Sequence, residues 1–343
     1  MEPQLAELIH AYRTRVMMLN SVSPEVVGRF NVQPSVEQTL EDKVREQSDF
    51  LQRINTIGVR DLVGQKVNLD VTGPIASRTN TDTSDRQTSD THALGEDEYR
   101  CEKTDFDTHV KYNTLDTWSR FPDFQARITN AVTRQIARDR LTIGFNGTSA
   151  AADTDSQANP LLQDVNIGWL EHMRTHKSES VLNGLKIGVS GDAQTSAHDF
   201  ATLDAAIYAA RHELIAPWHA NSTDLVAIMG SALVVDKNTA ALDTHDAPTE
   251  RAALQTLLIN GLIGTLPPMI VPFFPADAIF ITSLDNLSVY YQRGSRRRTI
   301  VDNAKRDRLE DYQSVNEAYV VEDYDKGALL TGIRQPDGAG GWQ

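Results

Sequence analysis

The residues best placed by type to do chemistry are His172 and His176, four apart in a segment that reads as a helix, so both imidazoles can share one face. Zinc-hydrolase helices combine that spacing with a glutamate directly after the first histidine. Here Glu171 precedes His172 and Met173 follows it. A solvated helix face is the simpler reading. His212-Glu213 has no second histidine four residues after the first. Gly188-Val189-Ser190-Gly191 brings its second glycine one position too early for a nucleophile elbow. The chain has neither a dinucleotide-binding glycine fingerprint nor a phosphate-binding Walker loop. Cys101 is the single cysteine, which excludes an internal disulfide and a multi-cysteine zinc cluster. The expectation is no catalytic residue, no metal and no cofactor.

Charge is the second source of chemistry. The 343 residues carry a net charge of −14, which argues against a protein that coats DNA electrostatically. The charge is uneven. From Asn80 to Asp107 there are nine acids, among them Asp82, Asp85, Glu96, Asp97 and Glu98, against three bases. From Arg293 to Arg308 there are seven bases, among them Arg293, Arg296, Arg297 and Arg298, against two acids. The basic run lacks the interleaved aromatics of a single-strand nucleic-acid platform. Docking onto an acidic protein surface, including the acidic segment of another copy, is favoured over nucleic acid. Those nine named residues are the candidate subunit-interface positions.

The elements that must position these groups follow from periodicity. At roughly 150 residues per domain, the length suits about two domains. Leu5, Leu8, Ile9, Tyr12, Val16 and Leu19 give one apolar helical face, and Ser21 to Pro24 breaks it. The early acids and the lack of a long apolar run argue against a signal peptide. A second helix is expected from Ser35, boxed by Gln38, through Val36, Leu40, Val44, Leu51 and Ile54, with Asn55 and Gly58 ending it. Val67, Leu69 and Val71 alternate as a strand does, as do Phe106, Thr108, Val110 and Tyr112. Between them Ala76 to Lys103 is polar, and far longer than a hairpin loop. It is either a projecting arm or a disordered insertion.

A long helix is predicted over Pro122 to Ile143, with Phe124, Ile128, Val132 and Ile136 on one face and Gly144 as its stop. The second half alternates a helix at Leu203 to Leu214 with strands at Leu225 to Met229, Ala278 to Thr282, Leu287 to Tyr291, Tyr319 to Val321 and Ala328 to Leu330. The class is α+β with a mixed or antiparallel sheet. The uncharged run Ala252 to Ala276 holds four prolines and two glycines, which argues against a membrane-spanning helix. The Gly-rich end, Gln335 to Gln343, is expected to be loose.

Several segments in order carry a family resemblance: PSVEQTL from Pro34, SDFLQRIN from Ser48, VTGPIAS from Val71, TLDTWSRFPDFQARI from Thr114, GFNGTSAAADTD from Gly144, NPLLQDVNIGWL from Asn159, VPFFPADAIFITSLDNLSVYY from Val271 and AYVVEDY from Ala318. The chain resembles the major capsid proteins of tailed phages, of the Peduoviridae (P-two-like) type with the Hong Kong 97-like fold. The resemblance implies a propeptide over 1–30, an N-arm over 31–58 and an extended E-loop over 59–115. It further implies a P-domain over 116–198 with the spine helix at 122–143, an A-domain over 199–290, and return strands with a tail over 291–343. It implies trimming by a maturation protease at the Phe30-Asn31 join. It also implies hexamers and pentamers in an icosahedral phage head. The implied partners are a capsid scaffold with its protease, a portal protein and packaged double-stranded DNA bound without sequence specificity, with no membrane. Assembly in the host cytoplasm belongs to the same reading. The competing readings are a metal-dependent hydrolase with the 76–103 segment as a lid, and a nucleic-acid module built on 293–308.

Overall fold

The computed structural model describes residues 14, 30–31, 34–66, 69–71, 76, 78–83, 85–86, 92–94, 97–118, 124–188, 198–233 and 261–335. The expected first helix, the Pro122 helix start, Glu96 and nearly all of the Gly-rich tail lie outside the described residues.

Strand β1 (Phe30–Asn31) precedes helix α1 (Pro34–Arg45) and helix α2 (Asp49–Arg53). The single helix expected here is broken after Arg45. Ser48 adopts an extended backbone and its hydroxyl accepts the Leu51 N–H, which starts a new helix. The Arg45 guanidinium then donates to the carbonyls of Leu51, Gln52 and Ile54, binding the end of α2 back onto α1. Asn55 and Gly58, expected to end a helix, instead lie in strand β2 (Asn55–Val59).

The arm follows as a two-stranded ribbon. Its lower part pairs β3 (Val63–Gln65) with the later β6 (Glu98–Arg100); its upper part pairs β4 (Leu69–Val71) with β5 (His92–Leu94). Both pairings keep one register, Val63 opposite Arg100 and Leu69 opposite Leu94, so they read as two stretches of one hairpin. Strands β7 (Glu102–Asp105) and β8 (Thr108–Lys111) no longer project; they pair with the body. The projecting part is therefore shorter than the 59–115 span expected from the resemblance.

Helix α3 (Tyr112–Trp118) leads to the beam helix α4 (Phe124–Asn146), then to α5 (Trp169–His176), β9 (Val181–Asn183), α6 (Leu203–Glu213) and α7 (Pro217–Ala220). The remaining strands are β10 (Leu225–Met229), β11 (Pro268–Ile270), β12 (Ile279–Ser283), β13 (Leu287–Gln292), β14 (Arg297–Asn303), β15 (Arg308–Val321) and β16 (Ala328–Thr331).

These strands form two main sheets. The larger runs β1-β14-β15-β13-β2, with β7 and β8 along the other side of β15. The smaller runs β11-β10-β12-β16-β9 and mixes parallel with antiparallel pairs. The expected domain cuts at 198 and 290 do not follow sheet membership: β9 lies in the smaller sheet, and a cut at 290 would divide β13 of the larger one. The smaller sheet is covered on both faces. Ile228 and Phe280 join the core around α4 and α5, while Ala227, Met229, Ile279 and Ile281 pack toward α6. Burial on both faces explains why β10 and β12 read as apolar runs rather than alternations.

The beam does not stop at Gly144. It continues to Asn146, and Gly144 serves close packing instead. A Cβ there would sit 2.3 Å from the Trp169 ring. That ring packs edge-on against Phe145 and Tyr319, and its N–H donates to the Ser288 carbonyl at 3.0 Å. Two effects oppose each other in Gly144→Ala: better helix propensity, worth about 1 kcal/mol, and overpacking, which costs about 1–3 kcal/mol. With Trp169 fully buried the ring cannot retreat, so overpacking wins. Thermal denaturation of the variant should show a lower midpoint, and an unchanged or higher one would refute the packing role.

Candidate assembly surfaces and their anchors

The basic run at 293–308 divides when placed in the fold. Arg296 is buried and its guanidinium meets Glu41 Oε1 at 2.5 Å. Arg298 pairs with Asp311 through two hydrogen bonds, of 2.9 and 2.5 Å. Arg308 pairs with Glu310. Arg296 is thus removed from the docking candidates, because its charge is used inside the chain. Arg297 is exposed, on β14. Arg293 follows β13, and its N–H donates to the Val59 carbonyl. On the acidic side, Asp82, Asp85 and Glu98 are exposed and Asp97 is half-buried. The structure does not bring these acids onto the basic run of the same chain. Lys103 and Asp105, at the foot of the arm, pair with one another.

The ion pairs that matter inside are four buried charges. Arg140 of α4 donates to Glu41 of α1 at 2.6 Å and to Glu317 of β15 at 2.5 Å, and Arg296 completes the set through Glu41. None of the four is more than 3% exposed. Two positive and two negative groups cancel, so the interior carries no net charge there. Burial alone would raise the Glu41 pKa, but the Arg140 and Arg296 charges outweigh it and bring it down to about 2. One turn earlier, Glu37 is also buried; its carboxylate accepts the Gly294 N–H at 2.9 Å, while desolvation pushes its pKa up. Helix α1 is therefore fastened to the larger sheet by two inward acids. Sequence reasoning placed both on an exposed face, and only the presence of arginines far along the chain gives them partners.

The arm has its own anchor. Lys66 ends the first leg of the ribbon and is buried. Its backbone N–H donates to the Asp97 carbonyl of the second leg at 2.8 Å. Its ammonium donates to the Val321 carbonyl at 2.7 Å and to the Tyr324 hydroxyl at 3.1 Å, and lies 4.3 Å from the Tyr324 ring centre. Burial lowers the Lys66 pKa, against the pull of Asp97, Glu322 and Asp323.

The two histidines serve this joint. His176 stacks on Tyr324 with centroids 5.1 Å apart and planes 7° from parallel, and His172 lies 5.5 Å from His176. They share a face as their spacing predicted. Burial first, then the charges of Lys66 and His176, hold His172 down to about 4, so it is neutral at physiological pH. Among the described residues no group of three or more His, Cys, Asp or Glu is arranged to hold a metal. Cys101 is buried, and desolvation pushes its thiol up to about 12. No described helix is long and apolar enough to cross a membrane.

Two outcomes test these anchors. Glu41→Gln leaves Arg140 and Arg296 underpaired in the interior, a change that typically costs about 3–5 kcal/mol. Because the folded pKa of Glu41 lies below its ordinary value of 4.5, its contribution is complete above that value and is lost as pH falls toward about 2. Acid unfolding of the wild type should therefore steepen in that window, and the variant should show a smaller loss there. Lys66→Met should leave the thermal midpoint of the body nearly unchanged while amide hydrogen exchange across 63–66 and 97–100 quickens; unchanged exchange would refute the anchoring role.

The sequence pattern of the family described as phage major capsid protein, P2 family, matches residues 8–333. Among curated proteins the chain is 40% identical over 342 residues to the capsid protein of Escherichia phage P2, covering 96% of this chain and 94% of that one. It is 38% identical over 349 residues to the major capsid protein of Serratia phage KSP20, covering 99% and 100%. Among solved structures it is similar to a chain of the satellite phage P4 procapsid that includes the size determination (Sid) protein. The TM-score there is 0.79 at 38% identity, with 98% of this chain and 99% of that chain covered.

Proposed function

Since the chain belongs to the P2 family of phage major capsid proteins, we propose that its copies form the hexamers and pentamers of an icosahedral phage head, holding one another through the arm. The family fixes the coarser facts: this is a structural capsid protein with the Hong Kong 97-like fold, not an enzyme, and it assembles with copies of itself into the virion shell. The observation that carries the finer reading is the arm itself. A two-stranded ribbon that leaves the body at Lys66 and Asp97 has little of its own chain to pack against. Isolated hairpins are marginal in water, so such a ribbon gains its order by lying on a neighbour. In this assignment the ribbon is the E-loop, the larger sheet with α4 is the P-domain, and the smaller sheet with α6 and α7 is the A-domain.

Maturation trimming is part of the same proposal. The Phe30-Asn31 join lies in β1, an edge strand whose only partner among the described residues is β14, with Phe30 opposite Arg298 and Asn31 opposite Arg297. Cutting there would leave α1 attached, because Glu37 and Glu41 hold it independently of what precedes it. The protease would act with a capsid scaffold in the host cytoplasm, a portal protein would occupy one vertex, and double-stranded DNA would fill the head. A net charge of −14 suits a container that must not bind phosphate tightly.

Sedimentation and negative-stain imaging of the full chain expressed with its scaffold and protease test the reading. Shells are expected from the wild type. A variant lacking Thr79 to Asp97 is expected to give folded subunits without shells, and normal shells from it would refute the role of the arm. Mass spectrometry of mature shells should find an N-terminus near Asn31, and an intact Met1 throughout would remove the trimming step.

A further inference from the structure

Strands β7 and β8 form one border of the larger sheet: β8 pairs with the first half of β15 and β7 with a later part, and no described strand pairs with their outer side. The Tyr112 N–H donates to the Asp307 carbonyl at 3.0 Å. Hydrogen bonding in an antiparallel pair alternates every second residue, so Val110 and Thr108 also turn their backbone groups toward β15. The backbone N–H and C=O groups of His109 and Lys111 consequently face outward.

A groove of about 540 Å³ runs beside that border, between β8 and the first half of α4. It is lined by His109, Val110 and Lys111 in succession, and across from them by Arg127, Ile128 and Ala131. Consecutive strand residues point to opposite faces, so a cavity touching all three looks onto the strand's edge. Ile128 and Ala131 supply an apolar floor on one side of the helix. Every charged or titratable side chain lining it, among the described residues, is basic or a histidine.

We propose that this groove accepts the acid-rich arm of a second copy as an added strand on β8. The inference rests on the shell reading and names where the arm seats. An unpaired border calls for an extended occupant, because only an extended chain can satisfy a row of outward N–H and C=O groups. A basic rim calls for an acidic one. The segment from Asn80 to Asp107 carries nine acids against three bases, and where described its flanks are already strands. Asp82 and Asp85 are exposed on it. Lys111 is exposed at the rim and opposes Arg308 across the β8–β15 pair, which leaves it like-charged with its neighbour until an acid arrives.

The test uses assembled shells of the full chain, with equal parts of isotopically light and heavy subunits, treated with a carbodiimide that joins amines to carboxylates without a spacer. Peptide mapping is expected to find Lys111 of one copy joined to an acid within 82–98 of the other isotope. Linkage of Lys111 solely to other carboxylates, or none in intact shells, would overturn the proposal. As a second measurement, Lys111→Glu with Arg127→Glu should cut shell yield roughly ten-fold, and Asp82→Lys with Asp85→Lys should recover part of it. Loss without any recovery, with the Lys111 link also missing from wild-type shells, would assign the groove to a different occupant and refute the arm. Wild-type chain that forms no shells would remove the shell reading itself; shells lacking the link would remove this inference alone.

Discussion

Arg140 sits where three separately formed parts of the chain must meet. Its guanidinium is shared between Glu41 of α1 and Glu317 of β15, and Glu41 is shared in turn with Arg296. Taking four charges out of water is costly, and the cost is met only if each has its partner at hydrogen-bonding distance. That requirement acts as a positional lock. The beam helix cannot slide along the sheet, nor α1 lift from it, without stranding a charge in the interior. Apolar packing around Trp169, Phe145 and Tyr319 supplies the bulk of the contact, but it tolerates small shifts in a way that bidentate ion pairing does not.

The lock also explains how a shell subunit can be rigid at its centre and extended at its margins. β15 is the common member: it pairs with β13 and β14 on one side and with β7 and β8 on the other, and it carries Glu317. The arm springs from the β6–β7 end of this arrangement and is pinned by Lys66 to Val321, the last residue of β15. An element anchored to the best-fixed strand can project far and still arrive at a defined place. The neutral, stacked histidines next to Lys66 belong to this joint. Their spacing resembled that of a metal site because helical geometry brings residues four apart together whatever they are for.

Much of the fold was legible because it rests on local periodicity. The runs at Leu225 to Met229 and Leu203 to Glu213, the beam helix and the polar arm all appear where the pattern places them. The misreadings have a common cause. Gly144 looked like a helix stop because glycine commonly is one; its true neighbour is Trp169, 25 residues on. Ser48 was read as the middle of a helix because the apolar stripe runs through it, while its hydroxyl and the Arg45 side chain reset the backbone. The resemblance supplied domain limits that sheet pairing moves at β9 and β13.

By itself, the sequence determined the class, the existence of a long acidic arm, the beam and the lack of a recognisable catalytic motif, since composition and nearest-neighbour spacing suffice for these. Only the tertiary structure decided which charges are available to another molecule. Glu41 and Arg296 lie 255 positions apart, and Arg140 and Glu317 lie 177 apart. A charged residue reads as solvated until its partner is known, and partners at such separations are chosen by chain topology. The run from Arg293 to Arg308 thus looked like one surface, whereas folding turns Arg296 into an interior brace and leaves Arg297 outside. The same topology leaves β8 without a strand beside it.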